Sequence, residues 1–331
     1  MKRKIVLALL LSMAFTPVLS GCSQQSNKAQ ESSKSTVSKK DKAVFEKALK
    51  KLKEEDKYLI QTVIEAPDGN ASYLEVINEG GSYTEMPVDE NGQLTDTVIT
   101  DEESTGNYAL TDWVEKDGTA YMSFINEDGS MGYHSLLKEY GEQLLNRNSG
   151  YFETMLEEFT TIKVEKDKVT GDIGDGEEEF TMYLCDLPSE VVREMLGIST
   201  YGLYESYKND EDTDKNIKKL CEFYLQDLDS SLTFSDARVS VAISDGKLRQ
   251  LVVETGGLGT KMYITKTFLM NGEFELREKP DFSKAKPYAD SMKEVADLVK
   301  DCKDYDEAMQ TLDGVRKSQE SYNDSEAEES D

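Results

Sequence analysis

Residues 113–133 read Trp-Val-Glu-Lys-Asp-Gly-Thr-Ala-Tyr-Met-Ser-Phe-Ile-Asn-Glu-Asp-Gly-Ser-Met-Gly-Tyr, and this stretch decides the fold. It holds two Asp-Gly pairs, Asp117-Gly118 and Asp128-Gly129, each between runs rich in aromatic and apolar residues. Such pairs tolerate the positive φ that tight hairpin turns demand. The spacing predicts adjoining antiparallel hairpins, with Val114 opposite Tyr121 and Phe124 opposite Tyr133.

Working outward, the same signal recurs at Asp68-Gly69, Asn91-Gly92, Asp245-Gly246 and Asn271-Gly272. Strands over 58–66 and 71–78 would set Ile64 opposite Tyr73. Ile243 would face Leu248, and Leu269 would face Phe274. Helical periodicity marks other stretches. Val44, Phe45, Ala48, Leu49 and Leu52 share a face over 41–55. Leu136, Leu137, Tyr140, Leu144 and Leu145 do so over 135–147, and Tyr151, Phe152, Met155, Leu156 and Phe159 mark a separate helix. A short helix over Ser189 to Leu196 is expected. Asp214 is placed to cap a helix carrying Ile217, Leu220, Cys221, Tyr224, Leu225 and Leu228. One or two more helices follow Pro287. Helix, strands, helices, strands, helix is an α+β plan, an antiparallel meander with helices packed on it, and not the alternation of a parallel sheet.

The N-terminus carries a different message. Lys2, Arg3 and Lys4 precede an apolar run from Ile5 to Leu11 that resumes to Phe15. A basic start and a short apolar core describe a secretory signal. A membrane-spanning helix needs roughly 20 apolar residues, more than this run supplies. The run ends in Leu19-Ser20-Gly21-Cys22, which resembles the lipobox of bacterial lipoproteins. That resemblance implies cleavage after residue 21 and two acyl chains on Cys22. Two chains hold a protein on a membrane where one does not, since each buried methylene contributes about 0.8 kcal/mol. Residues 22–40 are polar and read as a tether, and 41–317 as one α+β domain. Residues 318–331 hold six acidic residues and no basic one, an acidic tail without structure.

The net charge is −28, from 66 acidic and 38 basic residues. Removal of residues 1–21, with three basic and no acidic residues, takes it to about −31. Phosphate binding needs a basic face, so nucleic acid is excluded as a partner. The folded part is equally unsuited to lying on an anionic lipid surface. Beyond Cys22 there are three cysteines, Cys185, Cys221 and Cys302, so one disulfide and one free thiol are allowed. Cys221, on an apolar helix face, is expected to be a buried thiol.

No catalytic or metal constellation stands out, and no cofactor is expected. The single histidine, His134, ends a predicted strand and reads as a surface or edge residue. There is no Gly-x-Ser-x-Gly elbow, no His-Glu-x-x-His and no Cys-x-x-Cys. Gly256-Gly257-Leu258-Gly259-Thr260-Lys261 lacks the spacing of a phosphate loop and reads as a loop between strands. Asp210, Asp212 and Asp214 alternate like the start of a calcium-binding loop, but Lys215 and Cys221 stand where glycine and an acid belong. Asp172, Asp175 and Glu177 to Glu179 form an acidic cluster in a Gly-rich loop.

The order of elements over about 41–283 resembles the LolA/LppX-like lipoproteins. The stretch from Lys261 to Phe282, closing in Arg277-Glu278-Lys279-Pro280-Asp281-Phe282, is similar to strands running into a Pro-containing exit in those domains. The resemblance implies a curved antiparallel half-barrel with helices on its concave side and an apolar cavity for lipid or acyl chains. Residues 287–316, the C-terminal helices, lie beyond that plan. The expected function is binding, not catalysis: a lipoprotein of the cell membrane, facing the extracytoplasmic side, that holds a lipid or other amphiphilic ligand. Met122, Phe124, Tyr151, Met155 and Phe159 offer an apolar lining and serve equally as plain core. The alternatives are a protein-interaction or sensing module at the envelope, and a hydrolase of envelope polymers.

Overall fold

The fold is that of a computed structural model, which describes residues 39–66, 69–88, 107–126, 130–159, 161–164, 169–172, 177–231, 235–257, 260–269 and 276–314. A first helix, α1 (Lys39–Glu54), leads into β1 (Tyr58–Ala66), β2 (Gly69–Asn78), β3 (Gly81–Val88), β4 (Asn107–Glu115), β5 (Ala120–Ile125) and β6 (Met131–Ser135). Helix α2 (Lys138–Glu158) follows, then β7 (Thr161–Val164), β8 (Val169–Asp172) and β9 (Glu177–Leu187). Helices α3 (Ser189–Asn209) and α4 (Lys215–Ser231) precede β10 (Ala237–Ser244), β11 (Lys247–Gly257) and β12 (Thr260–Leu269). Last come β13 (Lys286–Pro287), α5 (Tyr288–Val299) and a short helix over 305–314.

The strands form one open, curved sheet in the order β13-β6-β5-β4-β3-β2-β1-β12-β11-β10-β9-β7, with β8 also on β9. Two meanders, β1 to β6 and β9 to β12, meet where β1 pairs with β12, and β7 and β8 both pair with β9. The class is α+β, as expected, but the sheet is mixed. β13 runs parallel to β6 because the chain reaches it from across the sheet and not through a hairpin.

Turn chemistry sets each register. Asp245 and Gly246 both take positive φ, 47° and 71°, and Ile243 faces Leu248 as predicted. At Asp117-Gly118 the register differs from expectation by one residue. Glu115 N–H donates to Thr119 O (2.7 Å), and the Asp117 carboxylate accepts from Thr119 N–H (2.9 Å), so three residues span the turn. Val114 therefore faces Ala120, and Trp113 faces Tyr121. One step of slip exchanges the faces of every side chain. The next turn behaves alike: Asn126 N–H donates to Ser130 O (2.8 Å), so Phe124 faces Gly132, not Tyr133. Ile64 faces Ala71, not Tyr73, a shift of two that keeps the face. Asn91-Gly92, Asn271-Gly272 and Phe274 lie outside the described residues.

Further differences concern helices and loops. The expected helices over 135–147 and from Tyr151 are one helix, α2. The short helix from Ser189 runs through Gly197 to Asn209. The expected acidic Gly-rich loop is a strand pair: Asp172 lies in β8 opposite Glu177 of β9, while Asp175 lies outside the described residues. Gly256 and Gly257, also expected in a loop, end β11 and pair with Lys261 and Thr260 of β12.

Helices cover one face of the sheet, the inner face. Two apolar clusters sit there. The first joins Phe45, Leu49 and Leu52 of α1, Met155 of α2 and Phe159 just after it to Ile60, Tyr183, Val239, Val241, Leu251 and Phe268 of the sheet. The second joins Val114 and Ala120 of the sheet to Tyr140 and Leu144 of α2, Tyr204 and Tyr207 of α3, Leu220 and Tyr224 of α4, and Met292 and Val295 of α5. Helix α2 spans both, which explains why it stays continuous through the polar stretch Asn146 to Gly150. Its apolar ends pack on different clusters, and tertiary packing outweighs local propensity.

Residues 276–285 cross the opposite, outer face. Phe282 stacks on Tyr121 (3.9 Å between ring centres) and meets Tyr133 edge-on (4.9 Å). Arg277 pairs with Glu85, and its backbone N–H donates to the Tyr83 hydroxyl (3.0 Å). The chain then rounds the β6 edge and returns as α5 to the inner face. Residues 288–312 thus supply much of the second cluster, so the core does not end near 283 as the sequence suggested.

Candidate functional site

The inner face is not uniformly apolar. Ladder partners place Ile60, Glu75, Thr84, Asp112, Met122 and His134 in one row from β1 to β6. Thr62, opposite both Tyr73 and Lys266, lies on the same face two residues along β1. Ser82 lies on it two residues along β3 in the other direction, opposite Ile77. Glu75 therefore sits midway on a diagonal from Thr62 to Ser82, each step about 7–8 Å. A polar patch results, with the first apolar cluster on one side and the second on the other.

This patch is deeply buried. Thr62, Glu75 and Ser82 are 0%, 1% and 4% exposed. Thr84 and Lys266 are buried too, and Asp112 is partly buried. Some polar groups there are satisfied: Thr84 Oγ1 donates to Asp112 Oδ1 (3.1 Å), and Lys266 Nζ lies over the Tyr73 ring (5.8 Å). Thr62 Oγ1 and Ser82 Oγ, however, meet no hydrogen-bond partner. A buried hydroxyl without a partner costs about 1–3 kcal/mol. Two such groups on the inner face, between the two apolar clusters, are a cost that no bond among the described residues offsets.

A measurable consequence follows. Thr62→Val replaces the orphan hydroxyl by a methyl of the same shape and stabilises the ligand-free protein by about 1–2 kcal/mol. Urea unfolding of the two proteins tests this; a less stable variant would show that the hydroxyl is already bonded.

Thr62, Glu75, Ser82, Thr84 and Asp112 did not stand out in the sequence. The signal was present in β2, where Glu75 stands between Leu74 and Val76 in a strand apolar on both faces. Reading it as inward requires the register, which the sequence left unsettled.

The residues singled out from sequence fare differently. His134 is neither at the surface nor at a free edge. It is 4% exposed, stacked on Phe124 (4.2 Å) and edge-on to Tyr288 (5.6 Å), with Nε2 3.3 Å from Ser291 Oγ. Gly132 beside it leaves room for the Phe124 ring, which a Cβ would strike. Burial holds the imidazole below its usual pKa of 6.5, with the Lys286 charge adding to the shift and a backbone hydrogen bond at Lys286 and the Asp290 charge opposing it. The unfolded chain thus takes up the proton first, and stability is lost as pH falls through about 6.5. His134→Phe should flatten the decline in unfolding free energy between about pH 7.5 and 5.5; an unchanged decline would count against the assignment.

Cys185, Cys221 and Cys302 are all buried and free, so the allowed disulfide does not form. Burial pushes the Cys221 thiol up to about 12 and Cys185 higher still, which leaves both unreactive. Asp210 and Asp214 are spent on the turn between α3 and α4. Asp210 Oδ2 accepts from Thr213 Oγ1 (2.6 Å), and Asp214 Oδ1 from Asn216 N–H (2.7 Å). Among the described residues no group of three or more His, Cys, Asp or Glu is placed to hold a metal ion. Of the apolar lining candidates, Met155 and Phe159 are core beneath α1, Met122 packs with the second cluster and Phe124 on His134. The side chain of Tyr151, and Cys22, lie outside the described residues.

Fold and site together define an α+β protein with an open curved sheet, helices on its inner face and a buried polar patch beneath them. No family model matches the chain, and no curated protein matches it. Among solved structures it is similar to the lipoprotein LppX of Mycobacterium tuberculosis, at 11% identity and a TM-score of 0.38, over 70% of this chain and 96% of that one. It is also similar to LprF from Mycobacterium bovis, at 9% identity and a TM-score of 0.35, over 72% and 97% of the two chains.

Proposed function

We propose that the chain is an exported lipoprotein, anchored to the cell membrane by acyl chains on Cys22. Its domain, about 41–317, holds a lipid or other amphiphilic ligand against the inner face of the sheet on the extracytoplasmic side. It binds and does not catalyse. One observation carries this reading: a buried polar patch with two unpartnered hydroxyls, set between two apolar clusters on one face. That pattern matches an amphiphile, which needs apolar walls and a few convergent polar groups.

The test is to express the full chain in a bacterium and examine it by native mass spectrometry with extraction of bound lipid. One amphiphile per chain is expected, along with a diacyl modification that Cys22→Ser removes together with membrane retention. A bare polypeptide that releases nothing on extraction would overturn the binding reading. A Cys22→Ser protein that stays in the membrane fraction would overturn the anchor.

A further inference from the structure

Resting on the Cys22 anchor proposed above, we infer that the outward face of α1 docks on an anionic lipid surface, so that the domain stands on the membrane in one orientation with its first cluster nearest the bilayer. The chain as a whole is too acidic for such contact, but its charge is unevenly spread. Residues 22–54 carry nine basic and four acidic residues, whereas 55–331 carry 26 and 62. The positive part is thus the part next to the anchor. Lys39, Lys40, Lys47 and Lys50 fall within an arc of about 100° on α1, opposite Phe45, Ala48, Leu49 and Leu52, which face the first cluster. All four lysines are exposed. Glu46 and Glu54 share that side, with Glu54 3.6 Å from Lys50 in a pair open to water, and an excess of two positive charges remains. Lys51 and Lys53 bind Asp245 and Glu153 and are left out of this balance. Lys39, Lys40 and Lys42 stand in the first turn, where the macrodipole favours acidic residues. Helix stability does not account for them; an anionic surface ahead of the helix does. Sixteen residues separate Cys22 from α1. A flexible segment of that length spans about 20–25 Å, which keeps α1 within reach of the leaflet. Each lysine brought to an anionic leaflet shifts the equilibrium about fivefold, so two net charges shift it about 25-fold. The acidic remainder, turned away, lies beyond the screening length of roughly 8 Å.

The probe is a vesicle of phosphatidylcholine with about 30% phosphatidylglycerol, compared with phosphatidylcholine alone, each bearing a maleimide lipid. The chain from Cys22 onward, which keeps every described residue, is coupled through its Cys22 thiol. Cys185, Cys221 and Cys302 are buried and stay unreacted. The coupling stands in for acylation, so a failure of the anchor reading, seen with Cys22→Ser in cells, is told apart from a failure of this one. Acetylation of each lysine is then followed by mass spectrometry. On the anionic vesicles Lys39, Lys40, Lys47 and Lys50 should react about threefold or more slowly than on the neutral ones. The exposed Lys116, Lys293 and Lys303, each within two residues of the second cluster, should react alike on both. Salt at about 0.5 M should abolish the difference. Lys39→Glu with Lys40→Glu should remove the protection of Lys47 and Lys50 and leave the melting temperature unchanged or higher, since acids suit the first turn. Equal rates for the α1 lysines on the two vesicles would overturn the inference. Protection that spreads to Lys116, Lys293 and Lys303, or that survives in the double variant, would overturn it too.

Discussion

Phe45→Ala should lower the unfolding free energy by about 3–5 kcal/mol and the melting temperature by roughly 10 °C. Phe45 is fully buried where three elements meet. Its ring centre lies 5.7 Å from that of Phe159, at the end of α2, and 5.2 Å from that of Tyr183 on β9. Removal of the ring leaves a cavity that neither partner can fill, because Phe159 is held by α2 and Tyr183 by the ladder to β10. The ion pairs around α1 do not compensate. Lys53–Glu153 (2.7 Å) is about half exposed, and such pairs contribute little. Thermal unfolding followed by circular dichroism reads the effect; a loss below about 1 kcal/mol would mean that α1 is not part of the first cluster.

Gly141→Leu should be nearly as damaging, at about 3 kcal/mol or more, through overpacking. Here α2 touches the β4–β5 hairpin so closely that a Cβ on residue 141 would collide with the backbone oxygen of Gly118 and lie 2.9 Å from the Ala120 Cβ. The backbone oxygen cannot move without opening the turn, whose Gly118 has a φ of 86°. The first turn of α2 must therefore lift away from the sheet and expose Tyr140 and Leu144. Chemical denaturation with a fluorescence readout at Trp113 measures the loss. A variant as stable as the parent would place α2 farther from the sheet than described.

These two sites illustrate what the sequence conveyed and what it withheld. Phe45 was legible because the 3.6-residue period of α1 marks it as inward. Asp245-Gly246 was legible because two positive φ angles fit only such a pair. The hairpin at Asp117-Gly118 was legible as a turn but not in register, since the Asp117 carboxylate lengthens the loop by a residue. β3 escaped notice because its turn, Glu79-Gly80-Gly81, lacks an Asp-Gly or Asn-Gly pair, β7 because four residues are too few to show a period, and β9 because Glu177, Glu178 and Glu179 mask its alternation. The polar patch was hidden for the same physical reason. Glu75, Thr84 and Asp112 lie 9 and 28 residues apart in the chain and become neighbours only once two registers are fixed.

The central claim is that a ligand lies against the inner face over this patch. A decyl glucoside bearing a diazirine on its chain, photolysed with the protein and mapped by peptide mass spectrometry, tests it most directly. Saturable labelling on β1 to β5, at inward positions such as Thr62, Thr84 and Met122 and blocked by excess unlabelled decyl glucoside, is the predicted result. Labelling confined to the outer face around Tyr83, Trp113 and Phe282, or labelling that never saturates, would contradict it.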